Sequence, residues 1–376
     1  GGAMYYLKDG LGKKKGCKYI GKVLAVLFCC FTVLAAFGIG SMGQVNKIVA
    51  NVAAAFDISA LSSVTVLGNI SLYNVLLGAV IMALTALITL GGLKRIANVA
   101  EKIVPFMVVL FVAGSLVIIG VNYKAIIPAF QAIFTHAFKP MSFVGGALGG
   151  VIVAMTNGFK RGVFSNEAGL GSSVMVHSNS NVKEPVQQGM WGIFEVFADT
   201  MVVCTMTALV VLTSGGLNGG VFNAQTGVIA EGYTDATLVG GAFNTVFGWG
   251  NIGSRFVAIA MFLFAFTTVL GWSHYGSKAW EYLFGSKSVP VFKVIHICTI
   301  MFGAVMTSSL AWDISDTFNG LMMFPNLIAV VALCPLVMKI TKNYVARKLK
   351  NKDVAPILSY DETIQKEMEE GLAEEV

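Results

Sequence analysis

The chain has 376 residues, 56% of them hydrophobic and only 12% charged. Soluble domains carry about 25% charged residues, so this composition does not supply a water-facing shell. The net charge of +6 would suit a nucleic-acid partner, but the placement of the basic residues, taken up below, argues against one.

Eight runs approach the length of about 20 apolar residues that a helix needs to cross a bilayer. In chain order they are 23–40, 75–93, 103–121, 141–159, 190–213, 256–272, 291–312 and 320–338. Only 190–213 and 291–312 carry Lys, Asp, Glu or His, while 256–272 is charge-free but slightly short. The pattern predicts an all-α fold: a polytopic membrane helix bundle with eight transmembrane helices. A single transmembrane domain is expected over 1–345, with an acidic cytoplasmic tail over 346–376 that is either a solvated helix or disordered.

If the chain begins inside, the outer connections 41–74, 122–140, 214–255 and 313–319 hold only Lys47, Lys124, Lys139 and Arg255. The other 22 of the 26 Lys and Arg residues then lie on the inner side, which is the positive-inside pattern. Both ends of the chain are expected to be cytoplasmic, in a plasma (inner) membrane. Lys13, Lys14 and Lys15 become a juxtamembrane run beside anionic lipid rather than an RNA patch. The opening Gly1-Gly2-Ala3-Met4 leads to the expectation that the natural start lies upstream. Cys17, Cys29, Cys30, Cys204, Cys298 and Cys334 form no CxxC pair and no zinc-ligand spacing, so neither a transition-metal site nor a cofactor is expected.

Along the chain, several polar or Gly-rich features interrupt the apolar runs. Gln44 follows the first run after Gly38, Gly40 and Gly43, and its amide can meet a ligand or face water. The fourth run contains Gly145, Gly146, Ala147, Leu148, Gly149 and Gly150. Each interior Gly costs a helix about 1 kcal/mol relative to Ala. Two readings fit: a broken helix whose freed amides and carbonyls bind a carboxylate and a cation, or a surface for close helix packing. The Gly-rich stretch after Lys160 lacks the GxxxxGK[ST] spacing of a phosphate loop.

Glu195 and Asp199, four residues apart in the fifth run, share a helix face and are intramembrane carboxylates, hence functional candidates. Residues 236–243 predict a short amphipathic helix over the outer mouth. In the sixth run, Thr267 and Thr268 either help coordinate a hard cation with the carbonyl of Phe264 or bond back to the preceding turn. Trp272 lies four residues after Thr268 on the same face, placed as a pocket wall or as an interfacial anchor. His296 is expected to cap or pack, and Asp316 to cap the final helix at its N-terminus.

The run Arg161-Gly162-Val163-Phe164-Ser165-Asn166-Glu167-Ala168-Gly169-Leu170-Gly171-Ser172 resembles the signature of the alanine or glycine:cation symporter family, also called sodium:alanine symporters. Supporting runs stand in family order: Gly91-Gly92-Leu93-Lys94-Arg95-Ile96, Val203-Cys204-Thr205-Met206-Thr207-Ala208-Leu209, Leu270-Gly271-Trp272-Ser273 and Asp316-Thr317-Phe318-Asn319-Gly320-Leu321-Met322. The resemblance implies a LeuT-like inverted-repeat fold in which these eight spans are core helices three to ten. It also implies that half the binding site lies in helices outside these residues, so that the chain alone would not transport.

By the same resemblance, Gln44, the backbone around Gly145, Gly146, Ala147, Gly149 and Gly150, Thr268 and Trp272 would surround the amino acid. Phe264, Thr267 and Thr268 would hold Na+ as the coupling ion. Two departures are Met155-Thr156-Asn157, where the family is often more basic, and Glu195, where it is usually uncharged. The implied activity is secondary active symport of alanine or glycine with Na+. Proton coupling through Glu195 or Asp199, and a passive channel, are the alternatives. No HExxH or GxSxG motif supports an enzyme.

Overall fold

The computed structural model describes residues 1–56, 58–137, 149–182, 184–215, 220–223, 228–233, 237–247, 250–359 and 361–373. Among them seven helical stretches are long and apolar enough to cross a membrane. These are α1 (Lys18–Ala55), α2 (Leu72–Thr89), α3 (Gly92–Val121), one separated from them by two further helices, and three in the C-terminal part. The two intervening helices are α4 (Ile126–Ala137) and α5 (Gly149–Asn166). The rest are α6 (Pro185–Thr213), α7 (Ile252–Phe284), α8 (Val289–Val305) and α9 (Ser308–Lys348), with α10 (Glu362–Ala373) in the tail. The fourth predicted span is represented only by α5, and Gly145, Gly146 and Ala147 lie outside the described residues.

Many apolar side chains on these helices are exposed, among them Val109 at 68%, Ile193 at 72% and Val331 at 72%. A soluble monomer does not leave such a surface to water, and a bilayer covers it. Lipid is as apolar as Leu, so the helices hold together by close packing rather than by water exclusion.

The packing depends on small residues. A Cβ on Gly40 would lie 2.4 Å from the Cβ of Trp272, and one on Gly276 would lie 2.2 Å from the Phe292 ring. A Cβ on Gly303 would meet the Met42 backbone at 2.6 Å. These contacts press α1, α7 and α8 together, and α9 joins them through the core formed by Met322 and Ala329 with Ala35, Ala36 and Trp272. Polar ties reinforce the same group. The Asn46 amide donates to the carbonyls of Met306 at 2.9 Å and Gly303 at 3.3 Å, where α8 ends. Tyr73 donates from α2 to the Val49 carbonyl at 2.8 Å.

α1 runs well past the predicted end of the first span at Gly40. It crosses Gly38–Met42 as a π-helical turn and continues as Gly43–Ala55. The second part buries Val45, Ile48 and Val49 at helical spacing. Asp316 caps nothing: α9 starts at Ser308, so Asp316 lies two turns inside it. Residues 238–244 are helical as expected, but Gly240, Gly241, Ala242 and Phe243 are buried, and Phe243 stacks on Phe256 at the start of α7. His296 packs rather than caps, with its ring stacked on Phe292 at 5.8 Å and close to Phe37. The tail helix α10 follows Asp361, whose carboxylate pairs with Lys13 at 2.7 Å.

Candidate functional site

The signature run forms the C-terminal turn of α5 and the loop after it. Glu167, Gly169 and Gly171 take left-handed backbone conformations, with φ of 50°, 79° and 80°. For Glu167 that conformation is uncommon and for glycine it is unstrained. Gly171 also needs to be small, because a Cβ there would come within 2.8 Å of Asn326 on α9. Asn326 donates to the Gly169 carbonyl at 2.8 Å and accepts from the Tyr6 hydroxyl. The loop is thereby pressed against α9, and Leu170 is fully buried beneath it.

This arrangement turns Glu167 toward α7. Its carboxylate accepts from Ser172 at 2.6 Å and hydrogen-bonds the Tyr275 side chain. With His177, Glu195, Ser165 and Asp199, Glu167 and Tyr275 line a cavity of about 430 Å³. The His177 ring lies 3.3 Å from the Glu195 carboxylate and hydrogen-bonds Gln188 through its other nitrogen.

Asp199 sits in a π-helical turn, Ala198–Cys204, within α6. Such turns interrupt the regular helix ladder and recur at functional positions. Ser165 donates to the Asp199 carboxylate, and Thr200 donates to Asn166 at 2.7 Å, so the last turn of α5 is tied to this irregular turn of α6.

Asp199 also lines a second cavity, of about 620 Å³. Its polar wall holds Lys47 and Asn51 from α1 and Arg161 from α5, and its apolar wall holds Val203, Val257, Ala260 and Phe264. Trp312 closes one side, with the Arg161 guanidinium 4.6 Å and the Lys47 ammonium 5.5 Å from its ring centre. Both distances are within cation–π range. Arg161 further pairs with Asp316 at 3.0 Å. One cavity therefore offers positive groups, a carboxylate and an apolar wall, which together complement a small zwitterion.

Lys47 and Arg161 were assigned to opposite membrane faces, yet they meet on one indole. Arg161 and Phe164 of α5 both lie against Trp312 in the first turns of α9, which brings the two cations together. Among the described residues that the resemblance places around the amino acid and Na+, Phe264 alone lines this cavity. Thr267 and Thr268 stand one turn further on, and both hydroxyls donate to the Phe264 carbonyl, at 2.9 and 3.0 Å. That is the back-bonded alternative, and the carbonyl meets a cation only if those hydroxyls release it.

Gln44 is half-buried in α1 and lines neither cavity. Trp272 is 2% exposed, so it is no interfacial anchor. It covers Gly40 and meets Tyr275 edge-on at 5.4 Å, and it too lines neither cavity. Gly149 and Gly150 open α5. The sequence reading missed Lys47, Asn51, Arg161 and Trp312. The spacing of Val45, Ile48, Val49 and Val52, which marks a helix beyond Met42, is the signal that would have brought the first two in.

Seven described helices long and apolar enough to cross a bilayer define a multi-pass membrane protein. The family model for the sodium:alanine symporter family matches residues 1–357. The chain is 38% identical over 344 residues to the sodium/alanine symporter AgcS of Methanococcus maripaludis, covering 92% of this chain and 69% of the relative. It is 38% identical over 349 residues to an uncharacterized transporter of Haemophilus influenzae, with the same coverage of each. The putative sodium/proton-dependent alanine carrier protein YrbD of Bacillus subtilis is 33% identical over 364 residues, covering 94% of this chain and 69% of the relative. The chain belongs to the sodium:alanine symporter family.

Proposed function

We propose that this chain carries a small neutral amino acid, alanine or glycine, across the plasma membrane in symport with Na+. The observation that carries the reading is the 620 Å³ cavity in which Asp199 faces Lys47 and Arg161 across an apolar wall ending at Phe264. A substrate carboxylate would take the positive side and its ammonium the Asp199 side, while the apolar wall limits side-chain size. Na+ would sit one turn along α7, on the oxygens of Phe264, Thr267 and Thr268, with no other cofactor. Gln44, Thr268 and Trp272 would complete the substrate site only in a conformation that brings the π-helical turn Gly38–Met42 of α1 to the cavity. Bound cation then favours that conformation, and the coupling is reciprocal: substrate tightens Na+ binding by the same factor. The helices would be core helices three to ten of a LeuT-like inverted repeat, rocking about this site.

Uptake of labelled alanine into vesicles tests it, using cells that express the reading frame holding these residues. Replacing Na+ by choline at constant pH is expected to abolish accumulation, and undiminished uptake rejects sodium coupling. Thr268→Val removes one hydroxyl at nearly constant volume and is expected to raise the Na+ concentration for half-maximal uptake about tenfold, a loss of roughly 1.4 kcal/mol. Unchanged Na+ dependence would place the ion elsewhere.

One observation favours a second reading, in which a proton is the coupling ion. Asp199 belongs to both cavities, and the smaller of them, of about 430 Å³, holds the His177–Glu195 pair. Two relatives carry the name sodium/proton-dependent alanine carrier, YrbD and a protein of Bacillus sp.. Alanine-driven alkalinisation in Na+-free medium supports this reading, and its absence there removes it.

A further inference from the structure

The third cavity, of about 210 Å³, lies away from Asp199, where the C-terminal part of α7 meets the N-termini of α3 and α8. It is lined by Gly92 from α3, by His274, Lys278 and Glu281 from α7, and by Val289 and Lys293 from α8. His274 is 6% exposed and its Nε2 has no hydrogen-bond partner, while the ring is held by a hydrogen bond to the Met175 main chain. A buried polar atom left without a partner costs about 1–3 kcal/mol, so such atoms are normally satisfied by something.

The surroundings say what kind of group satisfies it. α3 begins at Gly92 with no side chain capping it, so its first amides and the positive end of its dipole face the cavity. α8 begins at Val289, also without a side-chain cap. Lys293 donates one proton to the Thr89 carbonyl at 2.8 Å, which leaves two more on its ammonium. Lys278 pairs with Glu281 at 2.9 Å. Two ammoniums and one carboxylate leave one net positive charge. Helix N-termini with lysines are the usual recognition elements for phosphate.

We propose that this cavity binds a singly charged phosphate group. Its oxygens accept from Lys278, Lys293 and the first amides of α3, and His274 Nε2 accepts from an O–H that the ligand brings, either the acid proton of dihydrogen phosphate or a hydroxyl of a glycerol headgroup. The group is either free dihydrogen phosphate or the phosphodiester of an anionic lipid, since the ends of three helices meet at this place. The site is separate from the cavities that share Asp199 and does not depend on the transport reading.

The test uses the full chain in detergent. Thermal unfolding is followed with inorganic phosphate, or with phosphatidylglycerol, against sodium chloride at matched ionic strength. Phosphate is expected to raise the unfolding midpoint above chloride, and Lys278→Gln to weaken the apparent affinity at least fivefold. A response to phosphatidylglycerol but not to inorganic phosphate assigns the group to lipid, and the reverse assigns it to the free ion. Equal midpoints in phosphate, phosphatidylglycerol and chloride overturn the proposal, as does an unchanged affinity in Lys278→Gln. Should that variant misfold, phosphorus NMR of wild-type protein decides. Broadening of the phosphate or lipid signal that chloride does not displace supports the site, and its absence sinks it.

Discussion

In α1, 61% of the most apolar stretch is buried inside the protein, whereas in α6 only 11% is. The two helices are comparably hydrophobic, so the difference comes from how each meets its neighbours. α1 is locked to α7 and α8 by close contacts at Gly40, Gly276 and Gly303, and to α9 by those at Gly38 and Gly43. α6 is held by polar ties: Ser165 to Asp199, Thr200 to Asn166, and Glu184 to Arg347. Gly158 and Gly162 in α5, and Gly189 and Gly192 in α6, have open space where a Cβ would go. The charged cavities lie along the border between these two kinds of packing. A close-packed scaffold beside an element held by a few exchangeable hydrogen bonds is the arrangement that lets one part move against the other.

The contrast breaks most easily at its strongest tether. Glu184 is 2% exposed and is paired with Arg347 on α9. Arg347→Met leaves that carboxylate buried without its main partner, at an expected cost of about 3–5 kcal/mol. Denaturant unfolding in detergent measures it, and a loss under 1 kcal/mol would mean that α6 is not anchored there. Next is the scaffold itself. Gly40→Val forces a side chain into Trp272, with an expected loss of about 1–3 kcal/mol or more and an earlier thermal midpoint.

The mirror experiment is Gly192→Ala, which meets nothing and removes the helix cost of glycine. It is expected to stabilise by about 0.5–1 kcal/mol, and a destabilisation would show that α6 packs more tightly than described. The smallest effect concerns the tail. Lys13, with the amides of Thr363 and Ile364, holds the Asp361 carboxyl below its ordinary value. The stabilisation this gives is present above the ordinary carboxylate range and is lost as pH falls through the lowered value. The protection factors of the α10 amides, with the intrinsic exchange rate at each pH divided out, should therefore fall on acidification in the wild type and stay level in Asp361→Asn.

Helix existence was legible because a span is a long charge-free run, and no shorter pattern imitates it. Helix extent was not. Gly38, Gly40 and Gly43 read as punctuation, but in the fold they are the face on which Trp272 and Ser315 press, and the helix passes through them. That single misreading moved Lys47 and Asn51 into a loop and hid half of the zwitterion-complementary cavity. Asp199 was legible, since a carboxylate inside a span stands out against its neighbours. Arg161 was not, because a basic residue near a span end looks like an orientation signal, and only the placement of α5 beside Trp312 gives it a different role. The hydroxyl pair on α7 was seen correctly as ambiguous: sequence gives the spacing, and the partner each proton chooses depends on the carbonyl already within reach.

Asn326 uses both ends of its side-chain amide, the oxygen for Tyr6 and the nitrogen for the Gly169 carbonyl. A rotated amide would set its oxygen against the Gly169 carbonyl, so that contact fixes its orientation and leaves the oxygen for the Tyr6 hydroxyl. The opening segment of the chain and the signature loop therefore share one clasp. Whatever pulls the loop away from α9 must also loosen Tyr6, and strain applied at either end is felt at the other.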